Sequence, residues 1–149
     1  MIAPRGANAT KGSLPPADQE ITVPIASHLD IVVARERGRI LAAQLGCSPT
    51  EATLIATAIS ELARNIVLYA SHGEIGLTVA NGGGKLGIMV VARDKGPGIA
   101  DVSRAVADGY STSGGLGIGL SGVRRLVDEF EISSELGKGT TVTIKRWKR

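Results

Sequence analysis

The sequence predicts an α+β fold, a two-layer α/β sandwich in which helices cover one face of a mixed, mostly antiparallel sheet. Two observations lead to this prediction. Two helical patterns follow each other between residues 28 and 69, and two pairs of strand-like segments are each joined by a short glycine-containing turn. Clustered helices and adjacent hairpins favour this class over an alternating parallel fold.

The first predicted strand covers residues 20–25, where apolar side chains alternate at positions 21, 23 and 25. Such alternation is typical of a strand that is buried on one face. Pro24 lacks the backbone N–H that a central strand needs. We therefore expect this strand at the edge of the sheet.

Two helices are predicted next. The first covers residues 28–45 and ends before Gly46, and its pattern consists of Leu29, Val32, Val33, Ile40 and Leu41. The second begins at Ser48, an N-cap residue that is followed by Pro49 and, three residues after the cap, by Glu51. Apolar spacings of three and four then predict one stripe facing the core: Ile55, Ile59, Leu62, Ile66 and Tyr69.

The rest of the domain is predicted as two hairpins separated by two helices. An Asn-Gly pair in the first turn and two glycines in the second are typical of hairpins. The elements are strands over 74–80 and 86–92, a short helix over 101–108, a helix over 120–129, and strands over 130–134 and 140–147.

Length and composition indicate one domain over residues 20–149, since a chain of 149 residues with 43% hydrophobic content can bury a core. Residues 1–19 are rich in proline and glycine and lack the apolar centre of a signal peptide, so we expect a disordered N-terminal extension. No apolar run has the length of a membrane span. The single cysteine, Cys47, excludes a disulfide framework. These features predict a cytoplasmic protein with no membrane partner.

The formal charge of +3 does not indicate a nucleic-acid partner. Four positive charges lie in the last five residues, so the rest of the chain is close to neutral. A nucleic-acid surface needs Lys and Arg spread over one face.

A glycine-rich run over residues 108–120 predicts a phosphate cradle, because successive backbone N–H groups can converge there on an anion at the start of a helix. No Lys-Ser or Lys-Thr pair follows it, so it is not a P-loop. The alternative of a flexible linker is less favoured because Leu116, Ile118 and Leu120 alternate through the run. Residues 117–122 also fit the dinucleotide pattern G-x-G-x-x-G, but no strand precedes them and too little chain follows.

Three polar residues stand out against apolar surroundings. Glu61 and Asn65 are four residues apart on the second helix and point the same way, at the margin of the core. A solvated polar face is the ordinary explanation, but an amide oxygen is also a hard ligand suited to Mg²⁺. Asp94 leaves an apolar strand just before a glycine-containing turn. Its carboxylate can be a turn residue or can accept a hydrogen bond from an exocyclic amine.

Four motifs together resemble the boxes of the GHKL ATPase superfamily, which has the Bergerat fold. They occur in the family's order: Glu61-Leu-Ala-Arg-Asn65, Asp94-Lys-Gly-Pro-Gly98, Gly114-Gly-Leu-Gly-Ile-Gly119 and Gly139-Thr140. More narrowly, residues 57–65 and 109–115 resemble the RsbT-type switch kinases of the anti-sigma-factor serine/threonine kinase family. The resemblance implies a GHKL sandwich that binds ATP and Mg²⁺.

The resemblance also implies residue roles. Asn65 would bind Mg²⁺, Glu61 would deprotonate or orient the attacking hydroxyl, and Asp94 would accept the adenine amino group. Thr140 would reach adenine through a water. Glycines would shape the adenine pocket, and a short lid would wrap the phosphates: Gly96 and Gly98 for the pocket, and Ser113, Gly114, Gly115, Leu116, Gly117 and Gly119 for the lid.

The function implied by the resemblance is an ATP-dependent serine/threonine protein kinase. Its substrate would be a STAS-domain antagonist protein in a bacterial partner-switching pathway that regulates a sigma factor. Two other roles stay open at this point. The chain could be an anti-sigma factor that sequesters a sigma subunit, or it could activate a PP2C-type phosphatase by contact.

Overall fold

The computed structural model describes residues 15, 19–107 and 118–149. The predicted extension over residues 1–19 lies almost wholly outside this part of the chain. The described residues form five strands and four helices. None of these helices combines the length and the apolar character needed to cross a bilayer.

The strands form one sheet in the order β1-β2-β3-β5-β4. Each neighbouring pair is antiparallel, so the predicted mostly antiparallel sheet is confirmed and has no parallel pair among the described strands. β1 is an edge strand, as Pro24 predicts. The strands are β1 (Ile21–Ile25), β2 (Gly73–Gly82), β3 (Lys85–Asp94), β4 (Glu129–Glu135) and β5 (Gly139–Trp147).

The β2–β3 hairpin is longer and tighter than its sequence predicts. The predicted four-residue connection over 81–84 shrinks to Gly83 and Gly84, because Asn81 and Gly82 pair with β3. Gly83 and Gly84 have φ angles of 59° and 81°. A two-residue turn with positive φ at both positions matches the right-handed twist of the strands, which is why glycine suits this turn.

The helices are α1 (His28–Gln44), α2 (Pro49–Ala70), α3 (Val102–Ala105) and α4 (Gly119–Leu126). α2 begins as predicted, with the Glu51 N–H donating to Ser48 Oγ at 3.1 Å and the Ser48 N–H donating to the Glu51 carboxylate at 3.4 Å. The predicted stripe of α2 is buried as far as Ile66. The spacing also predicts that Tyr69 faces the core, but 44% of this residue is exposed.

α1 exists as predicted but buries a different face from the residues that predict it. Leu29 is 71% exposed, and three of the other four apolar residues in its pattern are exposed as well. The buried residues are mostly small: Ile31, Ala34, Gly38, Leu41 and Ala42. A Cβ atom on Gly38 would overlap the end of the Ile59 side chain. Close contact between α1 and α2 therefore selects the small-residue face.

The core lies between the sheet and the helices. Every second residue of β2 and β3 faces α1 and α2, and these residues are almost fully buried: Ile75, Leu77, Val79, Ile88, Val90 and Ala92. Leu120 and Val123 extend the same core from α4. The sandwich with helices on one face is therefore confirmed.

The two later helices are shorter than predicted. α3 is a single turn that ends at Ala105, and α4 ends at Leu126 because Glu129 already belongs to β4. Asp101 caps α3 by accepting a hydrogen bond from the Arg104 N–H at 3.0 Å. These short elements lie beside the candidate site.

Candidate nucleotide site

A cavity of about 480 Å³ opens between α2, the loop after β3 and the first half of β5. This volume is within the usual range for small-molecule sites. Four of the residues singled out from the sequence line it: Asn65, Asp94, Gly98 and Thr140. Residues from three separate segments of the sequence therefore meet at one cavity.

Asp94 lies at the end of β3 and lines the cavity. Its Oδ1 atom accepts a hydrogen bond from the Gly96 N–H at 2.9 Å, which closes a turn. Nothing within the described part of the chain donates to its Oδ2 atom. The carboxylate thus serves as a turn residue and still presents an acceptor to a ligand.

Glycines allow the loop after Asp94 to pack tightly. A Cβ atom on Gly96 would lie 2.6 Å from the Cβ of Ala70 at the end of α2. Gly98 has a φ of 81°, and its Cβ would overlap the carbonyl oxygen of Glu135. These contacts fix the loop between α2 and the β4–β5 hairpin, and the loop forms one wall of the cavity.

Gly139 brings β5 against Asp94. It has a φ of 122°, and a Cβ atom there would overlap the Asp94 carbonyl oxygen. The next residue, Thr140, is the Cα partner of Asp94 in the β3–β5 register. Paired residues on neighbouring strands have side chains on the same face of the sheet. The two polar side chains therefore stand next to each other at the cavity.

Ser134 also belongs to this group, although no local pattern in the sequence singles it out. Its Oγ lies 2.8 Å from Thr140 Oγ1 and accepts a hydrogen bond from the Ile99 N–H at 2.7 Å. The available signal was the hairpin register, in which Ser134 is the partner of Thr140. This register can be read from the sequence only if the exact residues of the turn around Gly137 are known.

Glu61 lies behind the cavity and is only 3% exposed, although its spacing placed it at the margin of the core. One oxygen, Oε1, accepts hydrogen bonds from Arg64 Nη1 and from the Ile118 N–H, each at 3.0 Å. The other, Oε2, accepts from the Gly119 N–H at 3.4 Å. A buried carboxylate needs such donors, since an unpaired charge inside a protein is costly. The start of α4 is thereby fixed to α2.

Asn65 lies one turn after Glu61 and lines the cavity. In the described residues, no group of three or more His, Cys, Asp or Glu side chains could hold a metal ion. Mg²⁺ is commonly bound by one or two protein groups together with substrate phosphates and waters. The single amide of Asn65 fits such a shared site better than a metal site built by protein alone.

The cavity also offers groups for a charged ligand. Arg104 on α3 is the one basic side chain among the described lining residues. The predicted phosphate loop from Ser113 to Gly117 lies outside the described residues, so only its last glycine, Gly119, is placed. That glycine begins α4 and lies beside Glu61.

Comparison with known proteins gives a family for this geometry. Residues 50–149 match the family described as histidine kinase-, DNA gyrase B- and HSP90-like ATPase. The serine/threonine-protein kinase RsbT of Bacillus subtilis is 50% identical over 127 residues, which cover 85% of this chain and 96% of that protein. An anti-sigma F factor of a Thermoanaerobacter species is 31% identical over 112 residues, which cover 71% of this chain and 77% of that protein.

Solved structures support the same fold. The RsbU and RsbW domains of Rv1364c from Mycobacterium tuberculosis match with a TM-score of 0.61 at 22% identity, over 88% of this chain and 32% of that one. The mycobacterial sensor histidine kinase MprB matches with a TM-score of 0.52 at 14% identity, over 88% of this chain and 97% of that one. The chain thus belongs to the histidine kinase-, DNA gyrase B- and HSP90-like ATPase family, and within it to the RsbT-type serine/threonine protein kinases.

Proposed function

We propose that this kinase transfers the γ-phosphoryl group of Mg²⁺-bound ATP to a serine or threonine of a STAS-domain antagonist protein, in a cytoplasmic partner-switching pathway that regulates a sigma factor. The observation that carries the proposal is the convergence of Asp94, Thr140 and Asn65 on one cavity, with Glu61 one turn from Asn65. The identity to a kinase named RsbT supports the reaction type.

The adenine end of the nucleotide is assigned to the β3–β5 side of the cavity. Asp94 Oδ2 would accept a hydrogen bond from the exocyclic amine. A hydrogen bond to a charged group contributes about 1.5 to 3 kcal/mol. Apolar lining residues such as Ile66, Ala92 and Val142 offer contact area to a flat ring. Gly98 lets the loop after Asp94 pack closely against Glu135, and this loop forms one wall of the cavity.

The phosphate end is assigned to α2 and the start of α4. Asn65 would bind Mg²⁺, which neutralises phosphate charge when bound. Arg104 faces the same cavity and would add positive charge. We extend the assignment to residues that lie outside the described part of the chain: Ser113, Gly114, Gly115, Leu116 and Gly117. Gly119 begins α4, and the N-terminus of a helix stabilises a bound anion such as phosphate.

Glu61 is proposed as the group that deprotonates or orients the attacking hydroxyl. The hydroxyl oxygen would bond to the γ-phosphorus as the bond to the leaving ADP breaks, and the proton would pass to the Glu61 carboxylate. In the structure both Glu61 oxygens already accept hydrogen bonds. We therefore infer that the carboxylate must exchange one of these donors for the hydroxyl before it can act.

The test is a transfer assay with γ-labelled ATP and a purified STAS-domain protein. We expect label on the STAS protein, and no label when its acceptor serine or threonine is replaced by alanine. A STAS partner that stays unlabelled, while this chain binds ATP, would refute the substrate assignment but leave the nucleotide site standing.

The second candidate function is an anti-sigma factor that sequesters a sigma subunit. The similarity to an anti-sigma F factor over 71% of the chain favours it. Co-purification with a sigma factor, released on addition of the STAS protein, would support this candidate. Capture of a PP2C-type phosphatase, with a rise in its activity, would instead support the role of phosphatase activator.

A further inference from the structure

The Glu61 carboxylate accepts hydrogen bonds from donors of two different kinds. Two donors are backbone N–H groups at the start of α4, those of Ile118 at 3.0 Å and Gly119 at 3.4 Å. The third donor is a side chain, since Arg64 Nη1 donates to Glu61 Oε1 at 3.0 Å. Arg64 lies three residues after Glu61 on α2. One of the three donors can therefore move without moving any backbone.

The two backbone donors are held in place by the core. Directly after them, Leu120 and Val123 are 4% and 0% exposed and belong to the same buried cluster as the apolar residues of α2. Withdrawing these N–H groups from Glu61 would pull the start of α4 away from α2. The Arg64 side chain is 32% exposed, whereas that of Glu61 is 5% exposed. Arg64 is thus the donor that can turn into solvent while the fold stays intact.

The position of Arg64 affects any group that needs Glu61 as a base. A base must come within hydrogen-bond distance of the proton that it takes. Oε1 already accepts two hydrogen bonds, so an attacking hydroxyl or water must take the place of Arg64 there. A hydrogen bond between two charged groups is stronger than one from a neutral donor. A free water would have to displace Arg64 without help, whereas the other contacts of a bound protein substrate can offset this cost.

We propose that Arg64 is a positioning residue that keeps Glu61 from activating water, so that the γ-phosphoryl group goes to a protein hydroxyl. In the suppressed side reaction, a water oxygen would bond to the γ-phosphorus as the bond to ADP breaks, and the water proton would pass to Glu61. The products would be ADP and inorganic phosphate. The inference deepens the kinase function proposed above and rests on it. Arg64 acts only through Glu61 in this assignment.

The experiment measures release of inorganic phosphate from ATP by the chain alone and, in parallel, transfer to the STAS protein. Arg64→Met keeps a long side chain of good helix propensity but removes the donor. Its hydrolysis rate should rise about five- to tenfold, as expected for losing one hydrogen bond to a charged group, and the ratio of hydrolysis to transfer should rise with it. Arg64→Lys keeps a charged donor and should stay near the wild-type rate. Arg37→Met, at an exposed position of α1, should hydrolyse ATP like wild type.

A double variant shows whether the added hydrolysis depends on Glu61. Glu61→Gln combined with Arg64→Met should bring hydrolysis back to the wild-type rate or below it. A rise that persists in the double variant would overturn the inference. An unchanged or lower hydrolysis rate in Arg64→Met, or a loss of ATP affinity that accounts for the change, would also overturn it. If Arg64→Met does not fold, Arg64→Ala must show the rise instead.

Failure of the proposed function itself has different signatures. A folded wild type that binds no ATP in calorimetry would refute the nucleotide site. A wild type that binds ATP but leaves the STAS protein unlabelled would refute the substrate assignment. In that second case the hydrolysis rates of Arg64→Met and of the double variant still decide whether Arg64 restrains Glu61.

Discussion

Asp94 lines the cavity, and one of its carboxylate oxygens closes a turn while the other accepts no hydrogen bond from the described residues. Asp94→Asn should weaken ATP binding by at least about tenfold, since an amide is uncharged and can present an N–H to the adenine amine. Calorimetry with ATP checks this result. Glu131→Gln, an exposed position in β4, should bind ATP like wild type. Unchanged affinity in Asp94→Asn would contradict the assigned adenine contact.

Glu61→Gln separates binding from transfer. The amide oxygen can still accept a hydrogen bond from one backbone N–H at the start of α4, so ATP affinity should stay within about threefold of wild type. Phosphoryl transfer to the substrate should fall by about 10² to 10⁴, the usual contribution of a general base. Affinity and transfer are measured on the same preparation, with Glu135→Gln as the exposed control. Equal loss of both quantities would argue against a base.

At the residue scale, the two predicted site residues Asp94 and Asn65 both line the cavity, and each occurs where a residue type and a local pattern coincide. Asp94 follows an apolar strand, and Asn65 interrupts an apolar stretch of helix, so both are visible without tertiary information. The contacts of Glu61 are different, because its backbone donors lie 57 and 58 residues further along the chain. No local pattern relates such distant positions, and the same holds for the contact between Ser134 and Ile99.

The β4–β5 hairpin depends on glycine for two separate reasons, and two substitutions distinguish them. Gly137 has a φ of 79° with open space around it, so Gly137→Ala should cost only the conformational strain of about 1 to 2 kcal/mol. Gly139→Ala adds overlap with the Asp94 carbonyl oxygen, so its cost should exceed 3 kcal/mol. Urea unfolding of both variants measures the difference. Equal losses would mean that β5 does not pack against Asp94 as described.

Helix α1 shows what periodicity predicts and what it leaves open. Its pattern correctly predicts a helix, but the larger apolar residues such as Leu29 and Ile40 are exposed. Close approach to α2 favours Gly38 and alanines at the contact, and small side chains give a weak hydrophobic signal. The residues that mark the start of a helix were a more reliable guide than the apolar pattern, since the N-terminal cap of α2 depends only on nearby residues.

At the scale of the whole molecule, the C-terminal end is fixed to other parts of the domain. Arg149 forms a two-pronged pair with Asp128 at 2.9 and 3.1 Å, and its backbone N–H donates to Glu51 at 3.0 Å. The Arg149 guanidinium hydrogen bond holds the pKa of Asp128 below its ordinary value of 3.8. The pair therefore contributes stability above that value and loses it as the pH falls through the lowered folded pKa.

Asp128→Asn should lower the free energy of unfolding at pH 7 by up to about 1 kcal/mol, because Arg149 is largely exposed and solvent screens the pair. The difference from wild type should shrink as the pH is lowered past 3.8. Urea titrations across this pH range check both statements. A difference that stays constant down to the lowest pH would show that the carboxylate charge is not its origin.

The fold class, the edge position of β1 and the meeting of four motif residues at one cavity were all predictable, since each follows from local patterns plus a resemblance carried by the motifs together. The lengths of the turns and the burial of Glu61 could not be predicted from the sequence. They depend on how closely elements approach each other, and side-chain size at distant contacts decides that.

The backbone donors that Glu61 needs come from a part of the chain synthesised long after the glutamate itself. The contact between α2 and the start of α4 joins residues 57 and 58 positions apart, and contacts between distant residues form slowly because the loop must first close. An incompletely folded chain therefore holds the Glu61 carboxylate without the backbone donors from the start of α4.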